Sequence, residues 1–67
     1  MSVAKVTEIT SSSTKSFEHA IKQGIKRANE TLDQVKGAWI QEQTVTVEKG
    51  EIAEYRVNMK VTFVLKD

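Results

Sequence analysis

The chain has 67 residues, 39% hydrophobic and 28% charged, with ten basic and nine acidic side chains, a net charge of +1, one histidine and no cysteine. That length is one domain, residues 1–67; the missing cysteines exclude disulfides and thiolate zinc sites, and the balanced charge leaves no basic footprint for nucleic acid. A domain this small buries only about 60% of the surface its unfolded chain exposes, so self-association is the remaining way to supplement its core.

The opening MSVAKVTEIT has no basic region followed by an apolar core, and no apolar run approaches the roughly 18 residues of a membrane span. A soluble chain that stays in the cytoplasm, without membrane or nucleic-acid partners, is expected. Residues 3–10, VAKVTEIT, are rich in β-branched types and read as a first strand, and the polar run Ser11-Ser12-Ser13-Thr14 reads as a loop. Ser13 is the expected N-cap, its hydroxyl able to accept from an unpaired N–H of the first helical turn.

From Phe17 onward the apolar or small residues Phe17, Ala20, Ile21, Gly24, Ile25, Ala28, Leu32 and Val35 fall three and four apart, drawing one stripe on a helix. Glu18 with Lys22, and Lys26 with Glu30, are placed to pair along its exposed face. Gly24 lies on the stripe, where it costs about 1 kcal/mol relative to alanine, so a neighbour is expected to approach closely there. Gly37 is the expected stop, giving a helix of about 23 residues and about 35 Å.

Residues 38–48, AWIQEQTVTVE, form a second strand, Lys49-Gly50 a tight hairpin turn, and Glu51 to Leu65 a closing strand in which Tyr55, Val57, Met59, Val61, Phe63 and Leu65 alternate with Arg56, Asn58, Lys60 and Thr62. A helix between the first two strands makes them parallel, so the long third strand fits between them, antiparallel to both. The fold class is therefore α+β, β-α-β-β, a three-stranded twisted antiparallel sheet wrapped around one helix. A strand of about 14 residues reaches about 45 Å, further than the helix, which leaves uncovered ends and a second sheet face for neighbouring subunits.

SSSTKSFEHAIKQGIKRANETL, followed by a hairpin and EYRVNMKVTFVL, resembles the dodecin family of small flavin-binding proteins over nearly the whole chain. The resemblance implies a hollow homododecamer that stores and shields FMN or riboflavin without turnover. It also implies a tryptophan after the helix on which the flavin ring stacks, and a glutamine in the last strand that bonds the ring edge. Counted without gaps, those positions fall on Gly37 and Arg56. Two extra residues after the helix, balanced by a shorter hairpin, put Trp39 on the stacking position instead, and both alignments are open.

The candidate ligand residues are thus Trp39, Arg56, Gln41 and Gln43, with the two glutamines expected on the face of Trp39. A guanidinium offers donors only, so Arg56 suits carbonyl or phosphate oxygens but not a ring N–H. The competing reading makes Trp39 an interface residue and Arg56 one end of an inter-subunit ion pair with Glu42, Glu54 or a neighbour's carboxylate. In the alternative function the assembly holds no flavin and is structural or gathers calcium or magnesium with Glu48, Glu51 and Glu54 from several subunits. His19 is expected on the polar side of the helix without a role. One histidine, three glycines and no cysteine supply no catalytic set, so no enzyme is expected.

Overall fold

The computed structural model describes residues 3–32 and 34–65. Four elements follow one another: β1 (Val3–Ser13), α1 (Phe17–Leu32), β2 (Val35–Glu48) and β3 (Glu51–Leu65). The sheet order is β1-β3-β2, with β3 antiparallel to both neighbours, so the expected fold and the central place of the last strand hold.

The odd residues of β3 form the core because the pleat sends them all to one side, where the helix stripe meets them. Val57, Met59 and Val61 are fully buried against Ala20 and Ala28, with Ile9, Phe17, Ile21, Ile25, Leu32, Val35 and Ile40 packed around them. Each large side chain so buried contributes about 1.5–3 kcal/mol. The close approach expected at Gly24 is present: a Cβ there would lie 2.8 Å from Met59 Cε and 2.9 Å from Ser11 Cβ.

Several boundaries differ from the sequence reading. The first strand continues through the serines, because Ser11, Ser12 and Ser13 pair with Val57, Arg56 and Tyr55. The helix therefore starts later, and Ser16 is its N-cap, with Oγ accepting from the His19 N–H at 3.0 Å. Ser13 instead closes a turn, accepting the Lys15 N–H at 2.9 Å. The helix spans 16 residues rather than about 23. Gln34, at a φ of 46°, turns the chain, and Val35 and Gly37 belong to β2. The side chain of Asn29 accepts the Val35 N–H at 3.3 Å and so ties the helix end to the strand. Asp33, placed in the helix from sequence, lies outside the described residues. Glu18 and Lys22 pair as expected at 3.8 Å, while Glu30 is met by Arg27 at 3.5 Å rather than by Lys26.

The hairpin turn is as expected, Lys49 and Gly50 both having positive φ, 52° and 79°. Three register shifts follow along β2 and β3: Lys36 and Gln41 are extra residues on β2, and Ala53 on β3. Such bulges bend and twist a strand, which lets this sheet curl around one helix. No helix among the described residues is long and apolar enough to cross a membrane.

Gly24→Ala is expected to lower stability despite its helix-propensity gain of about 1 kcal/mol, since overpacking costs about 1–3 kcal/mol. A shift of the denaturant midpoint to lower concentration is the readout. Ser16→Ala is expected to cost about 1 kcal/mol by the same measurement, as loss of an N-cap does.

Candidate functional site

The face of the sheet turned away from the helix carries the candidate residues, and the strand register decides which of them meet. Residues directly opposite one another in a sheet share a face. Trp39 stands opposite Lys60, which stands opposite Glu8 on the far strand, making one row across all three strands. The neighbouring rows are Gly37, Thr62 and Val6 on one side, and Glu42, Asn58 and Thr10 on the other. Arg56 lies a further row away, between Thr44 and Ser12.

Trp39 is 65% exposed, the most exposed large apolar residue among those described. Its indole is not bare: the Lys60 ammonium lies 5.6 Å from the ring centroid, an attraction worth about 0.5–1 kcal/mol at an exposed site. On the Gly37 side there is open space, since a Cβ built there would meet nothing within 4 Å. The position that a gapless count assigns to the family tryptophan is therefore an unfilled patch beside Trp39 on the same face.

The expected glutamine pair does not form beside Trp39. Gln43 stands opposite Val57, a core residue, and so is on the helix side of the sheet, while Glu42 takes the place beside Asn58. The cause is the bulge. Gln41 is its extra residue, opposite no single residue of β3, and alternation beyond it is displaced by one. Arg56 is four residues from Lys60 along β3, about 13 Å, and its guanidinium pairs with Glu54 at 3.4 Å. Within one chain Trp39 and Arg56 do not converge.

Lys60 and Asn58 are the residues that the sequence reading passed over. Asn58 Nδ2 donates to Thr10 Oγ1 at 3.2 Å, which leaves its carbonyl oxygen as an acceptor on this face. A signal for Lys60 did exist: pairing counted straight back from the Lys49-Gly50 turn puts it opposite Trp39, because the bulges at Gln41 and Ala53 cancel by that point.

His19 is half-buried rather than exposed, with Nδ1 2.6 Å from the Oγ of Ser13, itself only 8% exposed. Its contact holds the β1–α1 turn. The carboxylates Glu48 and Glu51 stand directly opposite each other beside the hairpin turn. Among the described residues no group of three or more potential metal-ligating side chains comes together within one chain.

A short helix cradled by three strands, with an exposed aromatic on the outer sheet face, defines a class of small strand-helix-hairpin proteins. The sequence model of the family named Dodecin matches residues 3–66, and the chain belongs to that family. Among its relatives is the calcium dodecin of Mycobacterium tuberculosis, 32% identical over 66 residues, 98% of this chain and 93% of that one. The dodecin of Streptomyces davaonensis superposes with a TM-score of 0.95 at 33% identity, covering 98% and 97% of the two chains. The crystal structure of the M. tuberculosis calcium dodecin, a calcium-chelating antigen with a calcium-binding site, matches with a TM-score of 0.83 at 32% identity over 96% and 91%.

Lys60→Ala is expected to change the emission of Trp39, the single tryptophan, while costing about 1 kcal/mol at most. Steady-state fluorescence and a denaturation curve on the same sample check both.

Proposed function

We propose that the chain assembles with copies of itself into a small-ligand store, and that the outer sheet face around Trp39 takes a flat aromatic ligand of the flavin class, riboflavin or FMN. The observation that carries this reading is Trp39, 65% exposed on a sheet face and bordered by the open patch at Gly37. A large flat indole left in water beside open space suits stacking by a planar ligand. Stacking on the indole supplies area, and a second copy facing the first closes the ring from its other side. The ligand displaces the Lys60 ammonium from the indole face. Asn58 and Gln41 stand nearer to Trp39 along their strands than Arg56 does, and their carboxamides offer the donor and acceptor that a guanidinium lacks. Arg56 then serves its ion pair and contacts between copies. Holding the ligand requires no reacting group, and none is assigned.

A second reading is favoured by the hairpin. Glu48 and Glu51 face each other directly, a like-charge arrangement that a cation relieves, and one relative is a calcium dodecin. In that reading the hairpin carboxylates of several copies gather calcium, because one chain alone has too few oxygens for the six to eight that this ion takes.

Titration of riboflavin and FMN into ligand-free protein is expected to quench flavin fluorescence saturably, and Trp39→Ala to abolish that quenching while the assembly mass is unchanged. Calcium titrated into the same preparation by calorimetry separates the readings: heat that is lost in Glu48→Gln together with Glu51→Gln, without flavin quenching, favours the cation.

A further inference from the structure

The outer sheet face changes character across the row that holds Trp39. On one side is the row of Gly37, Thr62 and Val6, with open space over Gly37 and with Val6 54% exposed. On the other is the row of Glu42, Asn58 and Thr10, which is polar throughout. Neighbouring rows are about 7 Å apart along a strand, so a ring stacked on Trp39 finds apolar surface only towards Gly37 and Val6. Its polar substituents are left to the Asn58 side.

Lys60 stands in the middle strand between these two surfaces, the one cation on the three rows. Glu8 is directly opposite it on β1 and Glu42 is its diagonal neighbour on β2, so two carboxylates are within reach of its stem. Among the described residues it pairs with neither. Its ammonium rests on the indole instead, 5.6 Å from the ring centroid, and the residue is half-buried there. That contact occupies the surface that a stacking ligand needs. A ring bound from this side removes the attraction between ammonium and indole before it gains any stacking.

We propose that Lys60 sets the ligand specificity of this site: it competes with every ring for the indole and offsets that loss only for a ligand carrying a negative charge. The inference rests on the proposed reading of Trp39 as a stacking surface for a flavin. Displaced, the ammonium swings on its four-carbon stem to the edge of the bound ring. A neutral ligand leaves it there with no new partner but Glu8. A phosphate on the side chain of the ring gives it oxygens for a charge-assisted hydrogen bond. Arg56 does not substitute for it, being about 13 Å away along β3 and paired with Glu54. The attraction lost to a neutral ring corresponds to about two- to five-fold in affinity. Glu8 acts in the opposite sense, since it receives the displaced ammonium and repels a phosphate.

Dissociation constants of riboflavin and FMN, which differ by the phosphate, are measured by flavin fluorescence on ligand-free wild-type protein, Lys60→Ala, Lys60→Arg and Glu8→Gln, at low and high salt, with the assembly mass checked for each. Lys60→Ala is expected to tighten riboflavin about two- to five-fold without tightening FMN, so that the preference for FMN falls. Lys60→Arg keeps the wild-type preference, and Glu8→Gln shifts it further towards FMN. High salt erodes the preference of the wild type and leaves that of Lys60→Ala unchanged. An unchanged ratio of the two affinities in Lys60→Ala, including an equal loss of both, assigns Lys60 to support of the sheet and overturns the proposal. If Lys60→Ala fails to fold, Glu8→Gln decides, and an unchanged or reversed shift there overturns it. Quenching by neither flavin in the wild type overturns the flavin reading and this selection with it, whereas quenching that does not depend on Lys60 overturns the selection alone.

Discussion

Everything in this molecule depends on one buried contact, the odd side chains of β3 under the small residues of α1. Val57, Met59 and Val61 have no exposed surface, and they reach that state because Ala20, Gly24 and Ala28 bring the helix backbone close to the sheet. Dispersion falls steeply with separation, so larger residues on that helix face would lift it and thin the core along its whole length. A single helix of 16 residues cannot extend this contact over a strand of 15, which rises more than twice as far per residue. The excess strand has to find its cover elsewhere.

The same mismatch generates the candidate surfaces. On the outer face it leaves Trp39, Lys60, Asn58 and Glu42 on an open sheet; at the end it leaves a bare hairpin arm. A larger protein would add elements to cover both. Among the described residues no further element covers them, and they are the surfaces to which the proposed function assigns a ligand and other copies. Family membership is consistent with this economy, since the fold is shared along nearly the full length of the relatives.

Much of the fold was legible because its signals are local. The alternation from Tyr55 to Leu65, the stripe from Phe17 to Leu32 and the Lys49-Gly50 turn are period and dihedral effects that a few neighbouring residues settle. The helix start was misplaced because Ser13 and Ser16 are equivalent as N-caps in isolation, and only the pairing of Ser13 with Tyr55 holds the former in the strand. Gly37 looked like a helix stop for the same reason: glycine marks either a C-cap or a strand with close or open surroundings, and its partner Thr62 decides.

Sequence by itself determined that one helix would bury the odd face of the last strand and that this strand would be central. Trp39 and Arg56 could be named from it, but not their separation. Tertiary structure decided the register, and with it the site. One extra residue at Gln41 moves Gln43 to the core side and brings Glu42 beside Asn58, and a second at Ala53 restores the count so that Lys60 comes to lie over the indole. Period along a strand is written in its own residues, whereas a bulge is a property of two strands and the twist they share.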